Sequence, residues 1–456
     1  MTQFKPFWVT LLLSVVFIKP VVSQESLSPY SRFGIGHISN GSQPVISSLG
    51  NAGAAFSDSA TLNLSQPASL ASLGAGLVIL EAGFTGSVGQ YSFKNQTGLG
   101  TTAGFGYLAL AVPIVKNRWV TSFSLTPISS AAFALIDTLN YPGGVPVEVS
   151  SSASGGYSKL SFANALRLTK NFTIGVGLHY VFGRMDYNTQ SRFPNDPNIR
   201  SSAITKTNWL NGLDYNAGIQ HQIRFHRPFN WERDSIGRRT GKRIYKSADS
   251  LHLISGFCFS PTHNINGREG VLARSYLNNL QFLDTLYYSD QTKGTMVMPM
   301  NVALSFALKH SRDKWLVIAE AAYTDWNRFR KFGIQDSVRS SYSLSIGGQW
   351  HPRPESMYSS WQNYFQRIKY RAGFYYSDGY LKPQGTPLAE MGCSIGFGLP
   401  FSWKTYAGKK ATHSINLSLS ASQRGFLTDS QLKEQIIKAS IAITFNDRWF
   451  HKRQYE

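Results

Sequence analysis

A strict two-residue alternation is the feature that most constrains what this chain can fold into. In "NFTIGVGLHYVFG" (171–183) and "IIKASIAITFN" (436–446), apolar residues alternate with small or polar ones. Such alternation indicates β-strands with one apolar face. The second face carries mostly Gly, Ser, Thr and Asn, which fits the lumen of a barrel in lipid better than the charged outside of a sandwich. The sequence predicts an all-β fold, a transmembrane antiparallel β-barrel.

The connections between the alternating segments predict the number of strands. The short connections are 115–118, 169–171 and 311–314, and the long polar ones are about 188–200, 262–297, 327–338, 378–388 and 424–435. Outer-membrane barrels have short periplasmic turns and longer outer loops. We therefore expect about 14 strands within residues 75–447 and a periplasmic C-terminal tail (448–456). A long periplasmic insert at about 226–249 breaks the short-turn rule.

The chain begins with the layout of a secretory signal peptide. Lys5 precedes an apolar run from Phe7 to Ile18, and small residues precede a cleavage point after Ser23. The run is shorter than the roughly 20 residues that a spanning helix needs. We expect residues 1–23 to be removed on export to the outer membrane. The partners this implies are outer-membrane lipids and, during biogenesis, the barrel-insertion machinery.

The formal net charge of +20 is unevenly distributed. Export and the lack of a recognition-helix pattern exclude nucleic acid as a partner. In the predicted topology, nearly the whole positive excess lies on the periplasmic side. The insert contributes Arg227, Arg233, Arg238, Arg239, Lys242, Arg243 and Lys246. Two interpretations stay open: a basic rim that contacts anionic lipid head groups, or a surface that docks an acidic periplasmic or outer-membrane protein.

No sequence pattern indicates catalysis, a metal centre or a cofactor. The chain has no HExxH, GxSxG, Walker or CxxC motif. Glu320 and Asp325 are five residues apart and so lie on opposite faces of a strand, a poor arrangement for a catalytic carboxylate pair. Cys258 and Cys393 fall on distant predicted strands, too far apart for a disulfide. We expect a non-enzyme without a cofactor.

The stretch "LGNAGAAFSDSATLNLSQPASLASLG" (49–74) precedes the first predicted strand and is rich in Gly, Ala and Ser. It resembles the N-terminal segment of the FadL-like family of outer-membrane barrels, the long-chain fatty-acid transporters and their relatives, and later phrases resemble members found in Bacteroidota. The matching residues are Gly50, Ala52, Gly53, Ala54, Ala55, Asp58, Pro67, Ala68 and Leu70. Gln66 stands where the family has Asn. The resemblance implies a 14-stranded barrel in which residues 24–74 form a hatch that plugs the lumen.

A plug is also reasonable on physical grounds. A barrel of about 14 strands leaves a lumen too wide for its own side chains to fill. A compact segment of small residues can occupy that space, with polar side chains that bond the wall and Pro67 fixing the exit towards the first strand. The residues expected to form hatch contacts or to gate a ligand are Gly50, Asn51, Gly53, Asp58, Asn63, Gln66 and Pro67.

The resemblance leaves two functions open. In transporting relatives, an apolar molecule binds at the hatch and leaves sideways through a gap in the wall. Other relatives are subunits of outer-membrane machines, such as the type IX secretion translocon. The resemblance to the transporter family favours transport of a hydrophobic small molecule. The alternative is a non-transporting subunit of an assembly or secretion complex, docked through its basic periplasmic face.

Overall fold

The computed structural model describes residues 28–448 apart from short gaps. The gaps are 40–42, 75, 95, 142–144, 194–198, 227–228, 234–238, 246–249, 278–281, 354–362, 405–409 and 427–430. The expected signal peptide and residues 449–456 of the expected tail lie outside the described residues. Within the described ranges, no helix is long and apolar enough to cross a membrane.

Extended chain dominates the described residues, as the alternation predicts. The strands are β1 (His37–Ile38), β2 (Leu77–Phe93), β3 (Gln96–Val115), β4 (Trp119–Ser130), β5 (Phe133–Tyr141), β6 (Val145–Arg167), β7 (Phe172–Arg192), β8 (Ser201–His226), β9 (Phe229–Arg233), β10 (Arg239–Tyr245), β11 (Leu251–Ser260), β12 (His263–Tyr276), β13 (Phe282–Met298), β14 (Asn301–His310), β15 (Trp315–Thr324), β16 (Arg330–Lys331), β17 (Ser341–Trp350), β18 (Lys369–Ser377), β19 (Glu390–Lys404), β20 (Lys410–Arg424) and β21 (Lys433–Arg448). The helical elements are α1 (Pro44–Ser47) and the 3₁₀ turns Pro29–Arg32, Pro67–Ser72, Trp326–Arg328, Phe365–Arg367 and Pro383–Gly385.

Fourteen of these strands form a closed antiparallel barrel. Their order around the wall is β2, β3, β4, β6, β7, β8, β11, β14, β15, β17, β18, β19, β20 and β21. The barrel closes where β21 returns to β2, from Leu77 opposite Arg448 to Ser92 opposite Lys433. The prediction of an all-β barrel of about 14 strands is confirmed.

The two faces of the wall differ as the alternation predicts. On β7 the exposed side chains include Val176, Leu178 and Tyr180, whereas the intervening Gly177 and His179 are buried. An apolar band therefore faces outward, where a membrane barrel meets lipid. We call the end of the barrel with the short connections the turn end, and the opposite end the loop end.

A sheet extends from the wall at the loop end. Strands β6, β7 and β8 continue about ten residues beyond the outward apolar band, and β12 pairs with this extension of β8 from Asn266 opposite Asn211 to Tyr276 opposite Ser201. The connection at 262–297, predicted as a long polar loop, is instead the hairpin β12–β13. Above the band, neither face of a strand meets lipid, so its side chains lose the alternation that marks a membrane strand.

The predicted insert at 226–249 contains the hairpin β9–β10. Arg239 lies opposite Arg233, and Arg243 lies opposite Trp231. Four of the residues predicted to dock a partner are on these two strands: Arg233, Arg239, Lys242 and Arg243. The other three, Arg227, Arg238 and Lys246, lie outside the described residues.

The wall is discontinuous between β3 and β4. Their pairing starts at Leu108 opposite Leu125 and runs towards the turn end. Nearer the loop end, residues 96–107 of β3 pair only with β2 among the described residues. Strand β4 follows β6 instead and continues as β5, whose described pairing is with β6. We call the opening between these diverging strands the wall split.

The two cysteines lie on separate wall strands. Cys258 is on β11 and is buried, whereas Cys393 is on β19 and is exposed. Both are free thiols.

Candidate functional site: the luminal segment and its seat

Residues 28–74, which we call the luminal segment, lie inside the barrel. Gln66 contacts the backbone of β8 and β11, Asp58 contacts β18, and the backbone carbonyl of Ala60 accepts a hydrogen bond from Asn446 of β21. These contacts reach inward-facing atoms on several sides of the wall. Leu49 and Leu62 are fully buried. The segment is a packed element of the lumen and not a flexible linker.

Wall glycines give the backbone of the luminal segment its space. Six of them lie where a Cβ would collide with the segment: Gly175, Gly218, Gly256, Gly347, Gly373 and Gly396. We call these six residues the glycine belt. Glycine within a strand often marks the close approach of another backbone. The small residues that the sequence predicts on the inward face of the wall therefore mark where the wall and the segment meet.

The turn after α1 explains Gly50 and Asn51. Their φ angles are +68° and +67°, in the left-handed region that a helix C-terminus commonly uses. The Asn51 amide donates to the Ile46 carbonyl at 3.0 Å, which ends the helix. A Cβ at Gly50 would also collide with the backbone of Phe374 on β18. Both residues thus set the path of the chain along the wall.

Glu320 on β15 holds Gly53. Its Oε2 atom accepts hydrogen bonds from the amide of Gly53 at 2.8 Å and from the amide of Ala54 at 2.7 Å. One carboxylate oxygen thus satisfies two backbone amides of the segment, which would otherwise be buried without an acceptor. Sequence reasoning considered Glu320 only as a poor catalytic candidate. The signal that could have found it is a single carboxylate within the apolar strand "WLVIAEAAYT".

Gln66 joins the segment to two wall strands. Its Nε2 atom lies 3.1 Å from the carbonyl of Ala54, 2.9 Å from that of Phe257 and 3.4 Å from that of Ile219. The side chain is fully buried over Gly218, where any Cβ would collide with its carboxamide. The Gln66 side chain therefore connects the luminal segment to both β8 and β11.

Asn63 and Pro67 shape the segment itself. The Nδ2 atom of Asn63 donates to the carbonyls of Gly53 at 2.8 Å and Phe56 at 3.0 Å, which ties two parts of the segment together. Pro67 begins the 3₁₀ turn Pro67–Ser72, a position where a missing amide hydrogen costs nothing. The backbone of this turn lies against Gly175 of the glycine belt.

Asp58 forms the ion pair at the turn end. Its Oδ2 atom lies 2.6 Å from the Lys369 Nζ atom, which also lies 2.9 Å from Asp313. Burial opposes ionisation of Asp58, but the Lys369 ammonium outweighs it and lowers the pKa of the carboxyl. The same two causes, burial opposed by Lys369, leave the pKa of Asp313 well below its usual range. All three groups are therefore charged at neutral pH.

A second ionic cluster holds the segment at the loop end. Arg424 forms ion pairs with Glu390 and with Glu434, and its Nη1 atom lies 3.4 Å from Glu434. The hydroxyl of Ser28 donates to the Glu434 carboxylate. Sequence reasoning missed this cluster, because Arg424, Glu390 and Glu434 come from three different strands and Ser28 is 406 positions from Glu434.

An apolar cluster joins the luminal segment to wall and loop-end strands on the loop-end side of the barrel. Its buried members are Tyr30, Ile35, Ala131, Phe133, Ala153, Tyr157, Val181, Met185, Leu210, Ile265, Met296, Trp326, Phe329, Val338, Leu381 and Leu388. Met185, Ile265, Met296 and Phe329 have no exposed surface. The transport hypothesis predicts an apolar pocket in this region. The region is apolar, and side chains of the protein itself occupy it.

The luminal segment also covers part of the wall split. His37 and Ile38 of β1 pair with Ser130 and Ser129 of β4, on the side of β4 that β3 has left. The amide of the next residue, Ser39, donates to the carbonyl of Ile128 at 2.8 Å. Burial, followed by the nearby Arg424, lowers the pKa of His37 to about 3, so the imidazole is neutral at physiological pH.

All seven predicted hatch residues therefore lie in one connected unit. Asp58 and Gln66 contact the wall through side chains, and Gly50 and Gly53 do so through backbone. Asn51, Asn63 and Pro67 shape the segment. The arrangement provides many buried hydrogen bonds and ion pairs, so movement of the segment would expose several unpaired polar groups.

A family model described as BamG matches residues 4–456. A search of the curated proteins found no match.

Solved structures with a similar fold are hydrocarbon channels and transporters. The Pseudomonas putida toluene transporter TodX is 13% identical, with a TM-score of 0.55, covering 91% of this chain and 99% of that one. The CymD monoaromatic hydrocarbon channel is 13% identical, with a TM-score of 0.52, covering 92% and 100%. A Pseudomonas aeruginosa FadL homologue is 11% identical, with a TM-score of 0.50, covering 92% and 99%. At these identities the likeness shows a FadL-type barrel fold and nothing about cargo.

Proposed function

The chain belongs to the BamG family, and we propose that it is a sealed, non-transporting barrel subunit of an outer-membrane assembly or secretion complex. The observation that carries this proposal is the filled lumen. The luminal segment is bonded to the wall by Asp58, Gln66 and Glu320, and the apolar cluster occupies the space above it. A subunit that does not transport needs its barrel closed, and these contacts support a closed barrel.

The family name supports a role in assembly. The family is described only as BamG, and this name points to an assembly partner. The FadL-type fold alone does not imply transport, because one fold can serve unrelated functions. The interpretation of the chain as a Bacteroidota-type member stays a prediction.

The turn end offers a surface for the partner. Lys116, Arg118, Lys170 and Arg224 lie at or near this end, and among the described residues none of them is within ion-pair distance of a carboxylate. Unpaired basic groups attract an acidic protein surface and speed its association. In our proposal this face and the hairpin β9–β10 dock an acidic periplasmic or outer-membrane protein, and lipid head groups take up the remaining charge.

Native affinity purification from the outer membrane tests the proposal. We expect specific proteins to co-purify in defined ratios, and replacing residues 229–245 by a short turn should release them while the barrel stays folded. A matched control shortens the loop-end hairpin 276–282 and should keep every partner. Purification of the intact protein without any associated protein would refute the proposed function.

Transport of a hydrophobic small molecule is the second candidate. Two observations favour it: the cluster above the luminal segment is apolar, and the wall split gives a sideways opening in the membrane region. Transport would require side chains such as Met185 and Phe329 to move aside for a ligand. Bound hydrophobic compounds in native mass spectrometry, together with slower uptake in a deletion strain, would favour transport over the sealed subunit.

A further inference from the structure

The wall split has a free strand edge on β3. Residues 96–107 of β3 pair with β2 on one side, and no described strand pairs with them on the other. Across the split, the edge of β5 (Phe133–Tyr141) is also without a described partner. Free edges carry rows of unpaired backbone amide and carbonyl groups, which are ready to bond another strand.

Part of this edge lies in the lipid-facing band. Phe84 and Val88 of β2 are 57% and 52% exposed and belong to that band, and they lie opposite Phe105 and Thr101 of β3. An unpaired backbone group in hydrocarbon costs several kcal/mol. Lipid tails cannot satisfy these groups, and neither can a hydrocarbon ligand. An occupant with backbone donors and acceptors would satisfy them.

The chain itself shows what such an occupant looks like. On the β4 side of the split, β1 adds to the free edge as a short antiparallel strand at Ser129 and Ser130. The same opening is thus already closed on one side by extended polypeptide. The β3 side has the same chemistry and a longer edge.

Two glycines on this edge have no role within the described chain. A Cβ at Gly98 or Gly104 would meet nothing within 4 Å, and neither residue has a positive φ. This differs from the glycine belt, where each Cβ would collide with the luminal segment. Gly98 and Gly104 are an even number of residues apart and so share one face of β3, and the space beside that face is open to an approaching chain.

We infer that the free edge of β3, residues 97–106, binds an extended segment of a partner outer-membrane protein, which adds to the wall as a further strand. Strand addition to an exposed edge is an established mode of peptide recognition, in which main-chain hydrogen bonds supply the affinity. The inference rests on the proposed function, because it names a second contact of this subunit within its complex.

Site-specific photo-crosslinking in cells tests the inference. A photoreactive phenylalanine analogue is placed at Thr101 on the free edge and, as a matched control, at Val88 directly opposite. Val88 lies at the same depth and is exposed, but its strand is paired on both sides, with Thr101 and with Ile437. We expect several-fold more polypeptide adduct at Thr101 than at Val88. Equal adducts at both positions, or lipid adducts alone at Thr101, would overturn the inference.

Hydrogen exchange gives a second readout that does not depend on a variant. Peptides from 97–106 should exchange rapidly in the purified barrel and slowly in the purified complex, while peptides from 434–444 should not change. Co-purifying proteins without an adduct or protection at β3 would refute the edge contact and leave the proposed function standing. The absence of any co-purifying protein would refute both.

Discussion

The carboxamide of Gln66 lies directly over the backbone of Gly218, with no room for a Cβ between them. The contact is possible because Gly218 has no side chain, and it lets Gln66 bond the carbonyls of Ile219 and Phe257. The position of Gln66 in the luminal segment thus depends on the absence of a side chain at Gly218 in the wall. The glycine belt is a set of such dependencies, and it can be tested one position at a time.

Replacing Gly218 with alanine should displace the luminal segment. The added methyl group would overlap the Gln66 carboxamide, and overpacking of this kind costs about 1–3 kcal/mol. We expect a lower thermal unfolding temperature in detergent and ion conductance in planar bilayers. The control is Gly348→Ala, whose Cβ would meet only a carbonyl oxygen at 3.8 Å and should leave both readouts unchanged. Equal behaviour of the two variants would contradict the role of the glycine belt.

Removal of the Glu320 carboxylate should loosen the segment near Gly53. A buried donor left without its acceptor costs about 1–3 kcal/mol, and Glu320→Ala leaves two amides in that state. Glu320→Gln keeps one oxygen acceptor and should have a smaller effect. The thermal unfolding temperature should fall in the order unaltered protein, Glu320→Gln, Glu320→Ala. If Glu320→Ala were as stable as the unaltered protein, Glu320 would not be an anchor.

The Asp58–Lys369 pair should show strong coupling. Removing one member of a buried ion pair typically costs about 3–5 kcal/mol when the other charge loses its partner, as Asp58 does in Lys369→Met. Asp58→Asn should cost less, because Lys369 keeps Asp313 at 2.9 Å. We therefore expect each single variant, Asp58→Asn or Lys369→Met, to destabilise the barrel. Either substitution should cost less when it is added to the other than when it is made alone. A double-mutant cycle of unfolding free energies measures this coupling. Strictly additive effects would show that the pair contributes nothing to seating the segment.

Acid should release the β1 segment from the wall split. The pKa of His37 is about 3 in the folded protein, against about 6.5 for a free histidine, so the released segment binds a proton that the seated one does not. The seated state is fully favoured above about pH 6.5 and loses stability as the pH falls towards 3. Hydrogen exchange of residues 36–39, corrected for its intrinsic pH dependence, should increase through this window.

His37→Gln provides the control for the acid prediction. Glutamine does not titrate, so exchange of the β1 segment in this variant should be independent of pH between 6.5 and 4. Above that range both proteins should have the same protection. The same acid-induced exchange in His37→Gln would assign the effect to other groups, such as the neighbouring Glu390.

The barrel could be predicted from the sequence because lipid imposes a local rule. Residues 172–182 of β7 alternate between exposed apolar and small inward side chains, and this pattern is readable in one strand without its neighbours. The hairpin β12–β13 was not predicted, because it projects beyond the apolar band and has no such pattern. Its pairing depends on β8, which is distant in the chain.

Only the residues of the candidate site that lie in the luminal segment could be predicted from the sequence, and their partners on the wall could not. Asp58, Asn63 and Gln66 stand out as polar residues in a run of small ones, and all three make buried hydrogen bonds. Their partners on the wall, such as Lys369, come from strands whose inward faces carry many polar residues. Nothing local to Lys369 identifies it as the partner of Asp58, since strand register sets which inward residue meets the segment.

The Ser28–Glu434 hydrogen bond joins residues 406 positions apart, and the Asn446–Ala60 bond joins residues 386 positions apart. Ser28 and Ala60 precede the first strand of the wall, whereas Glu434 and Asn446 lie on β21, its last strand. Contacts this distant form late, because the entropy of closing a long loop must be overcome first. Both bonds need β21 in place, so the last strand of the barrel completes the seat of the segment that precedes the first.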